Sequence, residues 1–122
     1  MNATIYGIRN CDMMKKTFTW LDANGVAYSF HDYRKSGVSP ELLARWCDKL
    51  GWQALVNTRG TTWRKLDPAE QAVSDTDEAI ALMAAHPSLI RRPVIETASG
   101  EILAGFDPAR LGTVFGISGA SA

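Results

Sequence analysis

The spacing of apolar residues changes character along this chain. A short β-like run, Thr4-Ile5-Tyr6-Gly7-Ile8, gives way to a helix-like segment from about Asp12 to Ala23. That segment places Met14, Phe18 and Leu21 on one face, and Asn24-Gly25 supplies its stop. Val26 to Tyr33 then reads as a second strand. Two βα-type units in succession predict a parallel strand pair joined by a crossover helix.

From about residue 38 to residue 89 the pattern is mostly helical. Ser39-Pro40-Glu41 opens a helix that runs through Leu42, Leu43, Trp46 and Cys47 to Leu50-Gly51, with serine as cap and proline at the first position. Asp67-Pro68-Ala69-Glu70 is a second start of the same kind, and a third helix fits Asp75 to His86, closed by Pro87. Between them the Thr/Gly-rich stretch Asn57 to Thr62 reads as a loop. Pro93 to Thr97 and Glu101 to Ala104, separated by Ser99-Gly100, predict a β-hairpin, and Asp107-Pro108 starts a last helix through Phe115.

The order is therefore β-α-β, a helical block, then β-β-α. This predicts an α/β, thioredoxin-like fold with a helical insertion between its halves. The expected organisation is one domain over residues 1–117, with the insert at about 38–90 and a loose tail at 118–122. The sequence shows no internal repeat, low-complexity tract or linker.

Composition narrows the class. The chain has 122 residues, 46% apolar and 21% charged, enough for one well-packed domain. Lys+Arg and Asp+Glu number 13 each, so bulk charge gives no reason to expect direct nucleic-acid binding or an anionic membrane surface. No apolar run reaches transmembrane length, and the expectation is a soluble, cytoplasmic protein. Cys11 and Cys47 do not make a secreted disulfide framework, and His31 and His86 offer no metal-ligand spacing, so no metal is expected.

The candidate chemistry centres on Cys11, which occupies the seam between the first strand and the first helix. A cysteine there meets the free N–H groups and positive dipole end of the helix, which favour a thiolate nucleophile. Arg9 adds a cation, Asn10 a polar neighbour, and Asp12 a helix-capping anion that opposes Arg9. Residue 14 is methionine, so no Cys-x-x-Cys pair exists, and a second thiol must come from outside. Cys47 falls among Leu43, Trp46 and Leu50 and reads as a core residue. In thioredoxin-like folds the strand after the insertion opens with a proline, often cis, that faces the reactive cysteine. If Pro93 is that proline, Arg92 projects near Cys11, where a guanidinium can hold an oxyanion or carboxylate.

The run Ile5 to Lys16, with Arg9-Asn10-Cys11-Asp12 at its centre, resembles the active-site segment of the arsenate reductase (ArsC) family, particularly its YffB/Spx branch. Trp63-Arg64-Lys65 and His86 to Ile95 resemble two further family segments. The resemblance covers almost the whole chain and is nearest to the YffB-type proteins. It implies Cys11 as nucleophile, with Arg64 and Arg92 at the positions of two arginines that bind the anionic substrate. The family's third arginine position falls at Leu103-Ala104-Gly105-Phe106, and a family histidine is replaced around Gly7. The implied activity is a glutathione-dependent thiol reductase with no bound cofactor. Glutathione would be co-substrate, glutaredoxin a partner, and the substrate a small anion or thiol. The alternatives are an arsenate reductase coupled to glutathione and glutaredoxin, and an Spx-like redox sensor that binds RNA polymerase.

Overall fold

Strand β1 (Asn2–Gly7) forms the axis of a four-stranded mixed sheet, in a computed structural model that describes residues 2–9 and 11–116. It pairs in parallel with β2 (Ala27–Asp32), in register from Ala3 opposite Tyr28 to Gly7 opposite Asp32. On its other side it pairs antiparallel with β3 (Val94–Thr97), which pairs antiparallel with β4 (Ile102–Ala104), giving the order β2-β1-β3-β4. A parallel pair cannot be joined by a tight turn. Here helix α1 (Asp12–Ala23) makes the connection, while Gly100 at φ 93° turns the β3–β4 hairpin in a conformation that suits glycine.

The period-2 rule selects what the sheet buries. Ile5 stands opposite Ile95, and Ile95 opposite Leu103, so one row of side chains crosses three strands. That row joins Ala3, Val26, Met14 and Leu21 of α1, and Leu111 and Phe115 from the end of the chain, in one core cluster. Met14, Thr17 and Leu21 form the buried stripe of α1; the hydroxyl of Thr17 is satisfied by the Met13 carbonyl at 2.8 Å.

The described residues divide into two compact units: residues up to Asp32 together with those from Arg92 onward, and Tyr33–Arg91. The second unit is helical. It contains α2 (Tyr33–Ser36), α3 (Pro40–Leu50), α4 (Trp52–Leu55), α5 (Thr61–Arg64), α6 (Pro68–Gln71), α7 (Thr76–Ala85) and a single 3₁₀ turn, Pro87–Leu89. α3 packs on α7 and α4, and Tyr33, Leu43, Trp46, Leu55, Met83, Leu89 and Ile90 are fully buried. The starts of α3, α6 and α7 are set by side chains. Ser39, Asp67 and Asp75 each accept a backbone N–H of the first turn, and Asp67 and Glu70 complete a reciprocal capping box.

The chain is thus an α/β, thioredoxin-like fold in which a helical insertion separates β-α-β from β-β-α. The last element among the described residues is α8 (Pro108–Val114), capped by Asp107.

Several local expectations are corrected. The second strand stops at Asp32 rather than Tyr33, because Tyr33 turns into the helical unit and donates its hydroxyl to the Ile90 carbonyl at 3.0 Å. The stretch read as a loop to Thr62 gives way to helix at Thr61. α4 and the 3₁₀ turn, too short to show a period, were not expected. The predicted tail at 118–122 lies outside the described residues.

A candidate thiol site at the start of the first helix

Cys11 is the N-cap of α1, in extended conformation at φ −136° and ψ 133°. Its carbonyl already belongs to the helix, accepting the N–H groups of Met14 at 3.0 Å and Lys15 at 3.1 Å. Its thiol does not cap: the side chain makes no bond to the first-turn amides. The N–H groups of Asp12 and Met13, the first two of the helix, have no carbonyl within it to bond, and they are available to an anion engaged at the helix start. Cys11 is half-buried, packs on the edge of the sheet's core cluster, and forms no disulfide.

Asp12 was expected to cap this helix. The structure instead makes it the first helical residue, exposed, so its carboxylate acts only as a first-turn anion favoured by the helix dipole. Met13 beside it, 39% exposed, is a large apolar side chain open to solvent. Asn10, the other polar neighbour named from sequence, lies outside the described residues.

The cations are placed differently from one another. Arg9 is exposed, and its guanidinium carbon lies 5.1 Å from the centroid of the Phe30 ring, a cation–π distance. Phe30 in turn meets Phe18 edge-on, and Phe18 stacks on Tyr28. Arg9 thereby sits on the aromatic cluster between α1 and β2.

The two adjacent arginines before β3 part company. Arg91 donates its Nε to the Ala54 carbonyl at 2.9 Å and its backbone N–H to Leu55 at 2.7 Å, which ties it into the helical unit. Arg92 belongs to the sheet unit that carries Cys11, is half-buried, and precedes a cis peptide bond to buried Pro93. The Pro93 carbonyl accepts the Gly105 N–H at 2.8 Å, which pins the start of β3 to the residue after β4. Arg64 belongs to the helical unit. It ends α5, is exposed, and donates Nη2 to the Arg59 carbonyl at 2.8 Å.

Cys47 is a different kind of thiol. It lies on the buried stripe of α3 with Leu43 and Trp46, is 7% exposed, and burial pushes its pKa up. His86 caps the C-terminus of α7 and meets Glu70 at 3.1 Å, a half-exposed pair that links α7 to the capping box of α6. Among the described residues no cluster of three metal-ligating side chains occurs, and no helix is long and apolar enough to cross a membrane.

With this geometry in hand, comparisons with known proteins converge. The ArsC family matches residues 6–114. The structure of the YffB protein superposes with a TM-score of 0.87 at 50% identity, covering 91% of this chain and 96% of that one. An arsenate reductase (ArsC) related protein from Brucella melitensis superposes at 0.73 with 43% identity, covering 94% and 95%. The global transcriptional regulator Spx of Streptococcus mutans is 29% identical over 94 residues, 75% of this chain and 68% of that protein.

Proposed function

This chain belongs to the ArsC family, and from that premise we propose that it is a glutathione-dependent thiol reductase with Cys11 as its nucleophile. The observation that carries the reading is the contrast between the two thiols. One is half-buried at the open N-terminus of a 12-residue helix, with a side chain committed to no cap; the other is sealed in a helix stripe.

In the reaction, the Cys11 thiolate attacks the glutathionyl sulfur of a mixed disulfide, and the substrate thiolate leaves. Glutathione then attacks the sulfur now bound to Cys11. This releases glutathione disulfide and regenerates the Cys11 thiolate, and the glutathione proton goes to the departed substrate thiolate. The departing substrate sulfur keeps the bonding pair of the broken S–S bond and is reduced to a thiol, while the sulfur of the incoming glutathione is oxidised as it joins the glutathionyl sulfur in the new disulfide. Methionine at position 14 leaves no local thiol to intercept the intermediate, so the second thiol comes from solution.

The anionic groups of glutathione, or of a small anionic substrate, are the partners for the first-turn amides of α1 and for Arg92, with Arg9 contributing positive charge. Arg64 matches a family arginine by its place in the sequence alone. Cis-linked Pro93 and first-turn Asp12 are structural parts of the same site. Glutaredoxin is the protein partner, no bound cofactor is required, and the setting is the reducing cytoplasm where glutathione is abundant. Glutathione-dependent turnover of a mixed-disulfide substrate by wild type and Cys11→Ser tests the proposal. Loss of turnover in the variant is expected, and full retention would sink it.

A second reading is favoured by the 43%-identical arsenate reductase-related neighbour: arsenate itself as the anion attacked by Cys11, with glutathione and glutaredoxin as donors. Leu103-Ala104-Gly105-Phe106 carries no cation, which predicts weak arsenate turnover. The similarity to Spx supports a third role, redox-dependent docking on RNA polymerase. Retention of purified RNA polymerase on immobilised protein, altered by oxidising Cys11, distinguishes that role from the enzymatic ones.

A further inference from the structure

The end of β1 and the first turn of α1 approach each other more closely than a side chain would permit. A Cβ added at Gly7 would collide with the thioether sulfur of Met14 and stand 2.7 Å from its methyl and 3.4 Å from its Cγ. The end of a methionine is ordinarily free to swing aside. Met14 is not, because it is fully buried and packed into the cluster that contains Ala3, Ile5, Leu21 and Ile95. Its backbone is equally committed, since the Met14 N–H bonds the Cys11 carbonyl at 3.0 Å. The bare Cα of Gly7, the thioether of Met14 and the first turn of α1 therefore form one mechanical chain that ends at the reactive residue.

We infer that Met14 is a positioning residue for Cys11: seated against the bare backbone of Gly7, it fixes the first turn of α1 over the end of β1 and so sets the presentation of the thiol. This rests on the assignment of Cys11 as nucleophile and adds a reason for the residue types at 7 and 14. Glycine at 7 is required by the methionine, and the methionine holds the helix start down. A side chain at 7 pushes Met14 into a filled core, or lifts the turn that carries Cys11. In a close-packed interior there is no third option.

The test is the rate of Cys11 alkylation by iodoacetamide across a pH series, followed by peptide mass spectrometry. It needs no substrate and is blind to whether the proposed reductase activity exists. Gly7→Ala is expected to slow Cys11 alkylation severalfold and change its pH profile, while far-UV circular dichroism stays native. Gly7→Ala/Met14→Val is expected to restore both, because valine keeps a γ-carbon at the tolerated distance and removes the colliding atoms. An unchanged profile in folded Gly7→Ala overturns the inference, and so does a double variant as impaired as the single. Should Gly7→Ala not fold, Met14→Leu supplies the reading. It removes the thioether while leaving Gly7, and alkylation identical to wild type would overturn the inference.

Discussion

The contrast between the two thiols has a quantitative consequence for native-state alkylation. Cys47 is 7% exposed on the buried stripe of α3, beside Trp46 and Leu43, both fully buried. A reagent reaches it only when the helical unit opens, and burial further suppresses its thiolate by raising its pKa. If that opening costs about 5 kcal/mol, the low end for a folded domain, and each 1.4 kcal/mol is about tenfold, protection comes to between about 10³ and 10⁴. Cys11 needs no such opening, since it is half-buried beside exposed Asp12 and Met13. Mixing reduced protein with limiting iodoacetamide and mapping adducts against time should therefore give single labelling at Cys11 long before any at Cys47. In denaturant the two rates should converge. Labelling of Cys47 within tenfold of Cys11 in the native protein would refute the reasoning, because the stripe on α3 would then not be closed.

Replacing Arg92 by Ala should raise the KM for the anionic co-substrate by roughly 10- to 100-fold, the scale of a lost charge-assisted hydrogen bond. Arg91→Ala, which cuts the bond to the Ala54 carbonyl, should leave KM alone and lower stability in urea titration. Tyr33→Phe removes the buried bond to the Ile90 carbonyl and should cost about 1–3 kcal/mol in the same titration. The pH dependence has a definite sign. Because folding raises the pKa of Cys47, the stability it contributes is full below the pKa of the unfolded thiol, about 8.5. It is lost as pH rises through the folded value. Tyr28, raised by burial and by Asp22, adds a loss of the same sign at higher pH. Melting temperatures should fall above about pH 8.5, and the fall should be shallower in Cys47→Ala.

How much could be read from sequence depended on whether local chemistry or tertiary contact decided the matter. α1 is announced by the spacing of Met14 and Leu21, and α3 and α7 by Ser39 and Asp75, whose side chains accept first-turn N–H groups whatever surrounds them. α4 has no such signature. Its exit is fixed from a distance by an antiparallel bridge between Val56 and Ile90, flanked by Asn57 N–H to Leu89 and Arg91 N–H to Leu55. Nothing in the run Val26 to Tyr33 marks its last residue as different, but the Tyr33 hydroxyl finds a partner 57 residues away.

The site divides the same way. Cys11 was legible as a cysteine between a strand and a helix, and the structure places it at that junction. That Arg91 is tied to α4 while Arg92 stays with the sheet unit shows only once the carbonyl of Ala54 is in place. The contact of Met14 with Gly7 is invisible to periodicity, because it depends on how near two backbones lie. The missing side chain of Gly7 and the missing cysteine at 14 looked from sequence like two unrelated absences, and the fold makes them neighbours.

The central claim is that Cys11 carries the glutathionyl group as a covalent intermediate. Reduced protein treated with glutathione disulfide, then analysed by intact mass and peptide mapping before and after addition of excess glutathione, tests it directly. The account predicts one glutathionyl adduct, on Cys11, discharged by glutathione and absent in Cys11→Ser. An adduct on Cys47 in the folded protein, or none on Cys11 while the reductase turns over, would contradict it.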